Sequence, residues 1–195
     1  VIRFAIDGTT DTTQIQSSQQ IPAQTPSIAA PPAAVAEKSV VVTGYGEAAS
    51  EIIAVVNGEE VSRITASDDG SFELEIALQE GENTLAFYSK NESGNESGLS
   101  RQYTVASLTQ APELSITEPQ PDQVFETASN RTISITGETQ PNNRVYLNDR
   151  ILMTNAEGMF RGTHRLEEGS NELRFKVVDA AGNETEETFS VEFRY

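Results

Sequence analysis

The chain has 195 residues, with 13 Lys and Arg against 30 Asp and Glu, a formal charge of −17, and no cysteine. So acidic a chain, with its few basic residues scattered, repels phosphate backbones and anionic lipid surfaces, which argues against nucleic acid and membranes as partners. Disulfides, thiolate chemistry and sulfur-ligated metals are excluded, and the lone His164, placed by alternation on a solvent-facing strand position, is a poor centre for a triad or a metal site.

In chain order, residues 1–6 read as a short strand, with Ile2, Phe4 and Ile6 on one face and Arg3 and Ala5 on the other. The chain opens at Val1 without an initiator methionine or a signal peptide, so it reads as a processed protein or a piece of a longer one. No apolar run approaches the roughly 18 residues of a membrane span. Residues 7–38 are rich in Thr, Gln, Ser, Ala and Pro. Pro22, Pro26, Pro31 and Pro32 rule out a helix there, which leaves an extended arm whose residues 28–36 could supply a first edge strand.

From Ser39 the pattern turns to strands and tight turns. Residues 40–43 form a strand read as ending at Gly44, and residues 52–56 lead into Asn57-Gly58, a hairpin signal because both residues tolerate positive φ. Phe72, Leu74, Ile76 and Leu78 alternate with polar residues, as do Leu85 and Phe87; Tyr103 and Val105 mark a last strand. The second half repeats the plan: Ile133 and Ile135, Val145 and Leu147 before the Asn148-Asp149 turn, residues 159–166, then Leu173, Phe175 and Val177, and finally Phe189, Val191 and Phe193.

The two halves are copies. Gly70, Phe72, Leu78, Gly81, Asn83, Leu85, Phe87, Gly94 and Asn95 return 88 positions later as Gly158, Phe160, Leu166, Gly169, Asn171, Leu173, Phe175, Gly182 and Asn183. A fixed spacing through turn and core residues alike means one supersecondary unit used twice. The offset is 93 at Gly44 and Gly137 and 91 at Asn57 and Asn148, so the first copy carries extra residues in its middle hairpins. About seven short half-buried strands per copy is the pattern of a β-sandwich. The expectation is therefore an all-β chain of two tandem immunoglobulin-like sandwiches: arm 1–37, first domain 38–108, second domain 109–195.

Leu166, Gly169, Asn171, Leu173, Phe175, Val177 and Asp179, followed by Ala181-Gly182-Asn183, resemble the penultimate-strand signature of bacterial Ig-like surface modules, a group that also resembles the second domain of glucodextranase. The opening Pro112, Leu114, Ile116 and Pro119 and a strand end at Thr136-Gly137 fit the same group. The resemblance covers 109–195 well and 39–106 less well. It implies a non-enzymatic extracellular spacer, adhesin stalk, filament subunit or glycosidase accessory domain, and brings no catalytic residues.

Carboxylate pairs such as Asp68-Asp69 and Glu167-Glu168 lack the spacing of a calcium loop, so no cofactor is expected; were calcium bound, residues 179–183 or the joint between copies would hold it. No Gly-x-Ser-x-Gly elbow or facing acid pair marks an enzyme. Without tryptophan, and with Tyr45, Tyr88, Tyr103, Tyr146 and Tyr195 mostly in strand patterns, polysaccharide is a lesser expectation than protein partners, either copies of the chain or other surface proteins. Acceptor sequons at Asn91, Asn95, Asn130 and Asn183 allow glycosylation. Val1, Ile2, Phe4 and Ile6 are candidate assembly residues: an apolar alternating strand on a long arm could add to the open sheet edge of a neighbouring copy and polymerise the chain head to tail.

Overall fold

A computed structural model describes residues 21–195. The alternation at 71–78 is realised as a strand whose Phe72, Leu74 and Ile76 are buried while Glu73, Glu75 and Ala77 face outward. Eight strands make the first sandwich: β1 (Ser27–Ile28), β2 (Ala34–Val35), β3 (Ser39–Tyr45), β4 (Glu51–Val56), β5 (Glu59–Thr65), β6 (Ser71–Ala77), β7 (Gly81–Lys90) and β8 (Tyr103–Ser107). They form sheets of order β1-β3-β6 and β2-β8-β7-β4-β5. Ile52, Ile76, Leu85, Phe87 and Val105 fill the space between them, each contributing about 1.5–3 kcal/mol through burial.

The second sandwich consists of β9 (Leu114–Glu118), β10 (Val124–Phe125), β11 (Thr132–Thr139), β12 (Arg144–Leu147), β13 (Arg150–Ile151), β14 (Met153–Thr154), β15 (Met159–Arg165), β16 (Gly169–Val178) and β17 (Glu184–Phe193), with a short 3₁₀ turn at Ala128–Arg131. Its sheets run β14-β15-β11-β9 and β10-β17-β16-β12-β13. Phe160, Leu173, Phe175, Val177 and Phe193 form the separate second core, and Phe189 stacks on Phe175 with ring centroids 5.6 Å apart.

Four features add to or depart from the sequence reading, each for a local reason. The arm joins the first sandwich from Ser27 onward: β1 pairs with β3, and β2 runs parallel to β8. Both pieces are short edge strands flanking Pro31 and Pro32, because proline lacks the N–H a central strand must donate. Gly44 and Gly137 lie inside β3 and β11 rather than ending them. Each sits opposite a large ring, Phe72 or Phe160, and gives it room. His164 is half-buried rather than solvent-facing, because Thr163 and Arg165 on either side of it take the outward positions of β15. Burial and the nearby Arg150 lower its pKa.

The fourth concerns the insertion. From Asn57 to Gly70 the first copy has three more residues than the second has from Asn148 to Gly158. The longer run keeps β5 in one sheet along all of β4. The shorter one pairs with β12 at Arg150–Ile151, then crosses at Leu152 and pairs with β15 at Met153–Thr154. As a result, β14 lies beside β15, whereas its counterpart β6 pairs with β3 alone and leaves one edge unpaired.

Candidate interaction surfaces

Two kinds of site recur in both copies: a loop that grips incoming chain, and an outer sheet face. The loop follows β7 in the first sandwich and β16 in the second. Gly94 and Gly182, at φ +80 and +91, allow the tight return. Asn91 Oδ1 accepts the Asn95 amide at 3.0 Å, and Asp179 Oδ1 accepts the amides of Ala181 and Asn183, each at 2.9 Å.

Each loop then reaches outward through the asparagine that ends it. Asn95 Nδ2 donates to Ile21 O at 3.0 Å, and Asn183 Nδ2 donates to Leu108 O at 2.6 Å. A second bond holds the incoming chain in each copy, from a different side of the loop: Ser89 Oγ of β7 donates to Gln24 O, and Thr185 Oγ1 of β17 donates to Pro112 O at 2.6 Å. Gln24 and Pro112 are again 88 residues apart. The same device therefore holds the chain entering each sandwich.

From the first sandwich, Glu80 completes the joint by accepting the hydroxyl of Thr109 at 2.6 Å and its amide at 3.1 Å. These bonds, the hydroxyl's first, hold the Glu80 carboxyl below the usual carboxylate range. A depressed folded-state pKa gives a contribution that is present above the unfolded value, about 4.3, and lost as pH falls through the folded one. The Thr109 amide should accordingly be protected from hydrogen exchange at pH 6 and lose protection in acid, while Glu80→Ala removes the protection at both. Equal protection in the variant at pH 6 would place the restraint elsewhere.

Three of the four sequons fall on these loops. Asn183 Nδ2 also donates to Asp179 Oδ2 at 2.8 Å, so both its hydrogens are engaged and a glycan there would displace one. Asn91 Nδ2 donates to Ile21 O at 3.3 Å, alongside Asn95. Asn130 lies exposed in the 3₁₀ turn. Among the described residues no group of three or more His, Cys, Asp or Glu side chains converges as a metal site, and the Asp179 carboxylate is occupied by its own loop. Val1, Ile2, Phe4 and Ile6 lie outside the described residues.

The outer faces of β3–β6 and β11–β15 are equivalent surfaces with opposite charge. On the first, Val41 stands beside Glu75, Thr43 beside Glu73 and Tyr45 beside Ser71; Val41 is 53% exposed and Tyr45 64%. On the second, Arg165 stands beside Thr132, Thr163 beside Ser134, Arg161 beside Thr136 and Met159 beside Glu138. Met153 pairs with Arg161 from β14 and is 81% exposed. Position 73 corresponds to 161 and position 77 to 165, so the repeat carries Glu73 where its copy has Arg161, and Ala77 where its copy has Arg165. A groove of about 580 Å³ crosses each face, bordered by Tyr45, Phe72 and Glu73 on one and by Met153, Met159 and Arg161 on the other. Comparing the copies for their differences as well as their likenesses would have revealed this reversal in the sequence.

Residues 29–106 match the model of the bacterial Ig domain. The first sandwich is a bacterial Ig domain. The match begins just after β1 and ends within β8, so it takes in β2, the short strand that follows Pro31 and Pro32. It falls on the copy with the weaker sequence resemblance. Over 134 residues the chain is 30% identical to Bacillopeptidase F of Bacillus subtilis (strain 168), an alignment that spans 67% of this chain and 9% of that protein. Among solved structures, the fibronectin(III)-like modules of Clostridium thermocellum CbhA align with TM-score 0.50 at 14% identity over 87% of this chain and 94% of theirs, a likeness of fold. A structure from a 1.5-MDa bacterial ice-binding adhesin aligns with TM-score 0.40 at 15% identity, over 89% of this chain and 66% of that one.

Proposed function

We propose that the chain is a non-enzymatic structural or adhesive element working outside a bacterial cell, where tandem sandwiches set a spacing and sheet edges make contacts. The observation that carries this reading is the repeated grip. Asn95 and Asn183 hold the chain entering their respective sandwiches, and Glu80 and Thr185 fasten the short stretch between the copies. A restrained joint suits a spacer, because it fixes the distance between modules instead of letting them swing. Among the described residues no helix is long and apolar enough to cross a membrane.

The finer part of the proposal is assembly through the N-terminal strand. The unpaired edge of β6 supports it: a bare edge presents N–H and C=O groups that an added strand can satisfy. The alternating Ile2, Phe4 and Ile6 would extend the inward row of Phe72, Leu74 and Ile76. Light scattering and negative-stain microscopy of the full chain beside a version lacking residues 1–12 test this. Concentration-dependent assembly of the full chain alone is expected; two monomeric samples would reject the strand as an assembly element. A polysaccharide-binding accessory role has less support, since Tyr45 is the one aromatic ring on the outer face of β3 and β6.

A further inference from the structure

We propose that the acidic face of β3–β6 on one copy of the chain docks against the basic face of β11–β15 on another. This is a heterologous contact that repeats head to tail, distinct from any strand exchange. It adds a second interface to the assembly reading and is tested separately from it.

Three observations carry it. First, the two faces occupy the same place in two copies of one fold, so their backbones present matching surfaces while their charges differ in sign: Glu73 and Glu75 against Arg161 and Arg165. Second, the apolar content is matched. Val41 is exposed beside Glu75 and Tyr45 two residues along β3 from the partner of Glu73, while Met153 is exposed beside Arg161 and Met159 two residues along β15 from it, so each face pairs charge with an apolar patch. A solvated face has no need of such side chains, whereas an interface core uses aromatic and methionine contacts inside a charged rim. Third, among the described residues none of Glu73, Glu75, Arg161 or Arg165 is in an ion pair, while other charges such as Arg174 with Asp149 and Lys176 with Glu184 are. Glu75 has only the Ser39 hydroxyl, at 2.9 Å.

The basic face is not uniformly positive, for Glu138 lies beside Met159 and Glu118 beside Thr136. They sit toward one end of β11, whereas Arg165 and the exposed Arg131 lie toward the other, which gives the contact a direction. Both faces of one chain are exposed, so they do not cover each other and are available to other copies. Because the same patch is not used on both partners, the contact is heterologous and propagates wherever the rotation between copies does not close it into a ring.

Sedimentation velocity of the full chain over a concentration series tests the proposal, at low salt and at about 0.5 M, where the Debye length falls to a few ångströms. The expected result is self-association that weakens at least tenfold on adding salt. Glu73→Arg with Glu75→Arg should weaken it by a similar factor, although this change makes the chain less negative overall and by net charge alone would ease association. Arg161→Glu with Arg165→Glu should do the same. An equimolar mixture of the two double variants should regain the wild-type association, since each restores the complement of the other, and this recovery also shows that both variants are folded. Variants that associate as the wild type does, or a mixture no stronger than its components, would overturn the proposal. If removal of residues 1–12 abolishes assembly while the charge reversals leave it intact, the strand reading stands and the face contact fails; the opposite pattern separates them the other way.

Discussion

Replacing Gly137 by alanine is expected to destabilise the second sandwich by about 3 kcal/mol, far beyond the usual effect of adding one methyl group to a strand. A Cβ built on Gly137 would lie 2.3 Å from the Cζ of Phe160 and 2.3 Å from the carbonyl oxygen of Ser115. The ring is buried in the core and the oxygen belongs to the backbone of β9, so neither can give way cheaply. The β9–β11 register also shifts between Thr136 and Gly137, which leaves the strand without slack at this point. Urea unfolding of the single variant, and of one that also carries Phe160→Leu, measures the effect. The smaller side chain should recover part of the loss, and a single-variant loss below about 1 kcal/mol would show that the pair is not as tightly fitted as described. Gly44 predicts a parallel result in the first sandwich, where the added Cβ meets Phe72 Cζ at 2.6 Å and Ser27 O at 2.3 Å.

These glycines mark the boundary of what the sequence discloses. Alternation and turn chemistry are local, so β6, β7, β15 and β16 could be read from their apolar rows, and Asn57-Gly58 and Asn148-Asp149 from their tolerance of positive φ, which all four residues adopt. Gly44 and Gly137 looked like strand ends because glycine is a breaker in isolation; only the partner strand reveals that each accommodates a phenylalanine. The crossing of the chain between sheets at Leu152 was hidden for a related reason, since three missing residues say that a hairpin is shorter but not which sheet receives its end. The loops were legible as repeats, yet the hydrogen bonds of Asn95 and Asn183 to Ile21 and Leu108 depend on how the chain returns, which spacing does not encode. The opposed charges of the two faces were within reach of the sequence, at Glu73 against Arg161 and Ala77 against Arg165, but only when the copies are compared for their differences.

Asn83→Ala is the second change expected to act strongly, at a cost of about 2–4 kcal/mol. Asn83 is fully buried, and its side chain does the work of a turn that the backbone leaves open. Oδ1 accepts the amide of Gln79 at 3.0 Å, and Nδ2 donates to Gln79 O at 2.8 Å and Gly81 O at 3.0 Å. Alanine would remove the partner of all three backbone groups and leave a void at a fully buried position. Asn171 makes the same three bonds, to Glu167 N, Glu167 O and Gly169 O, which explains why an asparagine recurs at this spacing. The two positions should nevertheless differ. Asn83 Oδ1 also accepts Asn57 Nδ2 at 3.2 Å, and Asn57 Oδ1 in turn accepts the Thr84 amide at 2.9 Å, so the clamp ties the β4–β5 turn to β7. In the second copy Asn148 reaches Glu172 O and the Arg174 amide instead, leaving Asn171 outside that network. Asn83→Ala should therefore cost more than Asn171→Ala. Asn83→Asp provides the sharper test, because it keeps an acceptor for Gln79 N but turns a second oxygen toward two carbonyls. Chemical unfolding should find Asn83→Asp at least as destabilised as the alanine variant. An aspartate variant close to wild type would show that the donor half of the clamp is dispensable and that shape alone accounts for the repeated asparagine.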